Sequence, residues 1–121
     1  MIISYAYTTE ALLAGRKTCT RRDWKDAYAL RFREGQVHQA WDRSPRVGGK
    51  QVGNVLLTVT PYQSDEYPEE DYEAEGLKYM EEKGIMVPLP SGSVYPRKFW
   101  EEWTRGRPRL WVVRFRLLTS I

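Results

Sequence analysis

The stretch that decides the arrangement of this chain is residues 14–24, Ala14-Gly15-Arg16-Lys17-Thr18-Cys19-Thr20-Arg21-Arg22-Asp23-Trp24. Four cations and two threonine hydroxyls lie within eight of these residues. The preceding residues predict a short helix capped by Thr8 or Thr9. Gly15 suits the position after its C-terminus, because glycine accepts positive φ angles without a Cβ penalty. Residues 18–20 favour a strand, so the basic cluster is predicted at a helix-to-strand turn.

This turn has two interpretations. A lysine amine beside a threonine hydroxyl can activate the hydroxyl or hold an anion next to it. Strict strand alternation places Lys17 and Thr20 on opposite faces, because their offset is odd. The two side chains therefore converge only if the turn continues past Lys17 and the strand begins near Thr18. The alternative is a solvated basic turn beside a strand whose small residues pack inward.

The pattern Gly15-x-Lys17-x-x-Thr20-x-Arg22 resembles the signature of ASCH domains, a branch of the PUA-like RNA-binding superfamily, at all four motif positions. The preceding TTEALLAG resembles the first helix of that family. EAEGLKYM, residues 73–80, resembles its acidic helix, in which a glutamate before a glycine faces the basic turn; here that glutamate is Glu75. LWVVRFRLL, residues 110–118, resembles its closing strand. The resemblance extends over nearly the whole chain.

The pattern of elements predicts an α+β fold. Apolar alternation predicts strands at Ile2–Tyr7, from Gln36 to Trp41, at Val52–Thr60 and at Arg109–Thr119, besides the strand of the basic turn. Helices are predicted from Asp23, from Pro68 to Gly84 with Gly76 in the middle, and from Pro96 to Gly106. So few and irregular helices do not fit repeated βαβ units. We expect a small, mostly antiparallel barrel of five to six strands with peripheral short helices, which is also the PUA-like barrel that the resemblance implies.

Composition narrows the class of protein. A length of 121 residues predicts one domain, residues 1–121. No apolar run reaches the roughly 18 residues of a membrane span, and the N-terminus lacks a signal-peptide pattern, so we expect a cytoplasmic protein without a membrane partner. The sequence has one cysteine and one histidine, and no cluster with the spacing of a metal site, so no metal or cofactor is expected. A catalytic pair of Cys19 and His38 is an alternative to a buried, inert Cys19.

Charge gives the second indication of function. The net charge is +3, but nine of the 16 acidic residues lie between Asp65 and Glu82. Cations concentrate in residues 16–22 and 97–116. If these two sets share a face, they form a basic patch that binds phosphates through charge, with tryptophans close enough in sequence to stack on bases. We therefore expect RNA, a nucleotide or a modified nucleoside as partner. The candidate binding residues are Arg16, Lys17, Thr20, Arg21, Arg22 and Arg97.

An enzyme is the competing hypothesis, and it comes from the resemblance. Some small single-domain proteins with this motif are amidohydrolases that remove the acetyl group from N4-acetylcytidine. By motif position their catalytic set becomes Lys17, Thr20 and Glu75. Thr20 would attack the amide carbonyl, Lys17 would activate Thr20, and Glu75 would transfer protons. The natural ligand and the oligomeric state stay open at this point.

Overall fold

Six strands and five short helices make up the structure, a computed structural model that describes residues 1–121. The strands are β1 (Ile2–Ser4), β2 (Cys19–Arg22), β3 (Val37–Trp41), β4 (Gln51–Leu57), β5 (Tyr62–Ser64) and β6 (Leu110–Ser120). The helices are α1 (Thr9–Leu13), α2 (Asp26–Ala29), α3 (Asp71–Ala74), α4 (Leu77–Lys83) and α5 (Pro96–Gly106). Two 3₁₀ turns, Ala6–Thr8 and Pro45–Val47, complete the set.

The six strands form one curled sheet in the order β1-β3-β4-β6-β2, with β5 also paired to β6. β6 organises the sheet because its residues pair with three strands: Leu117 opposes Val55 of β4, Val113 opposes Thr20 of β2, and Val112 opposes Tyr62 of β5. All pairings are antiparallel except that of β1 with β3. The outer strands β1 and β2 do not pair with each other, so the sheet is a half-barrel with an opening between them. The expected α+β class and barrel-like sheet are thus confirmed at this level.

Two apolar clusters stabilise the chain. The larger one packs against the sheet and includes Ile3, Leu12, Val55, Leu57 and Phe115. The smaller one lies among the helices and contains Tyr72, Leu77, Met80, Val87 and Trp100. The predicted shared face of Phe99, Trp100 and Trp103 on α5 packs into or against this second cluster. This cluster and the contacts of α1 with β6 and of α3 with β2 hold the helices beside the sheet.

Several predicted boundaries are wrong, each for a local reason. β1 ends at Ser4 rather than Tyr7, because Ala6 has a φ of 44° and starts a 3₁₀ turn. Neither threonine caps α1: the Thr8 hydroxyl donates to the carbonyl of Tyr5, and the Thr9 hydroxyl to that of Ala6.

Three other elements also differ from the prediction. The second helix begins at Asp26 rather than at Asp23. β4 stops at Leu57 instead of Thr60. The short strand β5 carries no apolar alternation, and sequence reasoning missed it.

The predicted helix from Pro68 to Gly84 is broken at Gly76. Gly76 has a φ of 91° and separates α3 from α4. A Cβ atom at this position would lie 2.9 Å from Cβ of Ala11 and 3.3 Å from Cβ of Lys17. A glycine is therefore required both by the backbone conformation and by the close approach of α1 and the basic turn. The break also turns Glu75 toward that turn.

None of the helices has the length and the apolar character needed to cross a lipid bilayer.

Candidate functional site

A cleft of about 370 Å³ lies at the opening of the half-barrel. Its walls come from four parts of the chain: the turn after β1, the basic turn with β2, the junction of α3 and α4, and one face of α5. The lining residues are Ser4, Tyr5, Ala6, Tyr7, Thr8, Lys17, Thr20, Arg21, Arg22, Glu75, Leu77, Phe99 and Trp103. The cleft thus brings together Lys17, Thr20 and Glu75, the catalytic set that the resemblance implies, with Arg22, one of the predicted binding residues.

The backbone conformation at Gly15 directs the basic turn toward the cleft. Gly15 has a φ of 75°, as the sequence analysis predicted, and the amides of Arg16 and Lys17 both donate to the carbonyl of Ala11. The next amide, that of Thr18, donates to the carbonyl of Ala74 at 2.8 Å and ties the turn to α3. β2 starts at Cys19, so the turn continues past Lys17 and removes the strand alternation that would have separated Lys17 from Thr20.

Lys17 is buried and held by Glu75. Its Nζ donates to the backbone carbonyl of Glu75 at 2.7 Å and lies 3.4 Å from Oε1 of the same residue. The side chains of Lys17 and Glu75 are only 3% and 7% exposed. Burial lowers the pKa of Lys17, and the Glu75 carboxylate opposes that shift. The alternative of a solvated basic turn is wrong for this lysine.

Arg21 lies behind Glu75 instead of facing a polyanion. Its Nη1 donates to Oε2 of Glu75 at 2.7 Å, and its Nη2 donates to Oδ2 of Asp71 at 2.5 Å. Asp71 also accepts two hydrogen bonds from Arg114 of β6, at 3.0 and 2.8 Å. Burial alone would raise the pKa of Asp71, but the hydrogen bonds from Arg114 and Arg21 outweigh it and leave this pKa below its ordinary value. This buried network fixes the position of the Glu75 carboxylate in the wall of the cleft.

Arg22 is the cation of the cleft that has no carboxylate partner. Its Nε donates to the hydroxyl oxygen of Thr20 at 3.0 Å, and its Nη2 donates to the carbonyl of Ser4. The second bond connects β2 to the end of β1 across the opening of the half-barrel. Burial lowers the pKa of Arg22, and the nearby charge of Glu75, which forms no ion pair with it, offsets only part of that shift. Because Thr20 Oγ1 accepts from Arg22, its own proton is free to be donated elsewhere.

Aromatic side chains complete the cleft: Trp103 is one of the tryptophans expected near the basic patch, whereas Tyr5, Tyr7 and Phe99 were not predicted there. Trp103 and Phe99 are partly buried and present ring surface from α5. Tyr7 is partly exposed, and the pKa of its hydroxyl is raised by partial burial and then by Glu75. Tyr5 is 3% exposed, and its buried hydroxyl has no hydrogen-bond partner. The sequence predicted an aromatic face on α5. In the structure this face contacts both the smaller apolar cluster and the cleft.

The other cations proposed for binding lie outside this cleft. Arg16 pairs with Glu73 at 2.6 Å and with Glu82 at 2.5 Å. Arg97 pairs with Glu69 and with Glu101. Both arginines border a separate, mixed-charge depression on the surface. The acidic segment thus neutralises much of the positive charge that the sequence suggested for a continuous patch.

The pair of Cys19 and His38 is not assembled. Cys19 is fully buried behind Glu75, with its Sγ 3.7 Å from Oε2 of that residue, and burial followed by the Glu75 charge raises its pKa to about 12. His38 lies on β3, where its ring bonds to the N-terminal amine and to Gln36. The interpretation of Cys19 as a small buried residue is confirmed.

The fold has a counterpart among solved structures. The chain is similar to the crystal structure of protein EF3133 from Enterococcus faecalis V583, of the family DUF984, with a TM-score of 0.56 and 18% sequence identity. The similarity covers 98% of this chain and 76% of the other. At this identity it shows the fold alone. No family model and no curated protein matches the sequence.

Proposed function

We propose that this protein is an ASCH-like domain of the PUA-like superfamily and that its cleft binds a nucleotide or a modified nucleoside. One observation carries the proposal: the cleft combines an arginine without a carboxylate partner, a free hydroxyl proton and aromatic rings. A volume of about 370 Å³ lies at the small end of the ~300–1,000 Å³ typical of ligand pockets. The aromatic rings suit the stacking of a planar base, and the arginine and the hydroxyl suit polar groups of a ligand that accept hydrogen bonds.

The charges favour a small ligand over a long RNA strand. A strand would need a series of free cations along the surface. Arg16, Arg21 and Arg97 are instead paired with carboxylates. The proposal therefore concerns the enclosed cleft, and an RNA would contribute at most the nucleotide that enters it.

Isothermal titration with the common nucleosides and nucleotides tests this function. Thr20→Val removes the hydroxyl at nearly constant shape, and Thr20→Ser restores it. A neutral hydrogen bond contributes about 0.5–1.5 kcal/mol, so Thr20→Val should weaken binding by about 2–13-fold. Thr20→Ser should bind nearly as the unmodified protein does, and Arg97→Gln, which lies outside the cleft, should have no effect. If none of the nucleosides or nucleotides binds, the proposed function is wrong.

Hydrolysis of an N4-acetylated cytidine is the second candidate, because a specific observation favours it. Burial lowers the pKa of Lys17, and a lysine with a lowered pKa has a larger fraction of neutral amine to accept a proton. In this reaction Thr20 Oγ would attack the acetyl carbonyl and pass its proton to Lys17. Glu75 would pass that proton from Lys17 to the leaving amine, which departs as cytidine, and water would then hydrolyse the acetyl ester on Thr20, releasing acetate and restoring the hydroxyl. The hydrogen bond on Thr20 comes from Arg22 rather than Lys17, which is why binding ranks first.

The two candidates differ in what they require of Thr20. Incubation with N4-acetylcytidine, followed by chromatography, measures release of cytidine. An enzyme should lose nearly all turnover in Thr20→Val and keep part of it in Thr20→Ser, because only serine retains a nucleophile. Binding of N4-acetylcytidine by the unmodified protein without turnover would eliminate the enzyme and leave the binding function in place.

A further inference from the structure

The charges around the cleft are unbalanced. Two carboxylates, Glu75 and Asp71, form one hydrogen-bonded network with three cations, Lys17, Arg21 and Arg114, and a fourth cation, Arg22, lies beside this network without bonding to it. Both carboxylates are already shared: Lys17 and Arg21 bond to Glu75, while Arg21 and Arg114 bond to Asp71. No carboxylate of the chain is left within ion-pair distance of Arg22. With Lys17 protonated, these four cations and two carboxylates carry an excess of two positive charges.

Arg22 is the cation through which this excess of positive charge is open to a ligand. The guanidinium of Arg21 is paired with both Glu75 and Asp71, although its buried Nε has no partner, and Lys17 donates to the carbonyl and the carboxylate of Glu75. Arg22, by contrast, has only neutral acceptors, the Thr20 hydroxyl and the Ser4 carbonyl. Removing a cation from water without an anionic partner is costly. An anionic group that entered the cleft would remove that cost, and it would also accept the free proton of Thr20.

We propose that the ligand of this cleft carries a phosphate, which Arg22 and the Thr20 hydroxyl bind, so that a nucleoside monophosphate is preferred over the corresponding nucleoside. This inference rests on the proposed function and specifies its ligand class. The guanidinium is suited to the task, because it offers several donors in a plane that matches the oxygens of a phosphate. The base would lie against the rings of Trp103 and Phe99, which line the same cleft.

The experiment compares each nucleoside with its 5′- and 3′-monophosphates by isothermal titration at constant ionic strength. Charge-assisted hydrogen bonds are worth enough that one of the monophosphates should bind about tenfold or more tightly than the nucleoside. Inorganic phosphate should compete with the nucleotide but not with the nucleoside. Equal affinities of nucleoside and both monophosphates in the unmodified protein would overturn the inference and leave the proposed function intact. If neither class binds, both fail.

Variants locate the phosphate. Arg22→Gln should reduce the ratio of nucleotide to nucleoside affinity to about one, while nucleoside binding falls less. Arg97→Gln is the matched control, because it removes an arginine outside the cleft and should leave the ratio unchanged. A ratio that persists in Arg22→Gln, or that disappears in Arg97→Gln, contradicts the assignment of the phosphate to Arg22. Should Arg22→Gln not fold, the comparison of ligands on the unmodified protein still decides the outcome.

Discussion

Replacing Gly76 by alanine tests how tightly the acidic helices are fitted against the basic turn. Gly76 has a φ of 91°, and an added Cβ would meet Ala11 at 2.9 Å and Lys17 at 3.3 Å. The left-handed conformation alone costs a non-glycine residue about 1–2 kcal/mol. Overpacking in a well-filled interior adds about 1–3 kcal/mol. We therefore expect Gly76→Ala to lower the free energy of unfolding by about 2–5 kcal/mol.

Gly84→Ala is the matched control for this prediction. Gly84 also has a positive φ, of 70°, but nothing lies within 4 Å of an added Cβ. Gly84→Ala should therefore lower the free energy of unfolding only by the cost of the left-handed conformation, about 1–2 kcal/mol. Urea denaturation followed by tryptophan fluorescence measures both variants, and similar m-values would show that the unfolding transition is unchanged. An equal loss in the two variants would refute the close approach of α1 and Lys17 to Gly76.

Three further predictions concern the buried groups. Asp71→Asn should lower the free energy of unfolding by about 3–5 kcal/mol near neutral pH, because it leaves Arg21 and Arg114 without their shared anion. Glu69→Gln, which removes only an exposed ion pair with Arg97, should change it far less. The pKa of Asp71 is below its ordinary value. Its contribution to the free energy of unfolding is therefore present above the unfolded pKa of about 3.9 and is lost as pH falls through the lower folded pKa. The stability difference between the unmodified protein and Asp71→Asn, measured by urea denaturation, should shrink below about pH 4, and a difference that grew there would contradict the ion pairs. Cys19 should resist iodoacetamide at pH 8 in the folded protein and react after denaturation, as mass spectrometry would show, because the pKa of its buried thiol is raised to about 12; rapid labelling of the folded protein would show that the thiol is accessible.

Local signals predicted the elements better than the connections between them. Gly15 after α1, a strand at residues 18–20 and the aromatic face of α5 follow from residue conformation and periodicity, and the structure has all three, with the strand at Cys19–Arg22. Gly76 stood inside the single helix predicted from Pro68 to Gly84, and the structure breaks that helix there. β5 was missed because three residues without alternation carry no strand signal, and they are held by pairing with β6.

The site was partly predictable for a related reason. The motif placed Lys17, Thr20 and Arg22 close together because they are near in sequence. Glu75 came from the resemblance, and only tertiary structure brings it beside Lys17. Sequence could not show that the acidic segment neutralises Arg16, Arg21 and Arg97, since ion pairs between residues about 30–60 positions apart leave no local pattern.

Binding in the cleft is the central claim, and the indole signals of the five tryptophans test it most directly. Trp103 lines the cleft, whereas the other four tryptophans do not. In ¹H–¹⁵N correlation spectra, titration with a nucleoside monophosphate should shift the indole signal of Trp103, assigned through Trp103→Phe, by more than any other. Saturating shifts confined to the other tryptophans, or no shifts at all, would contradict the account.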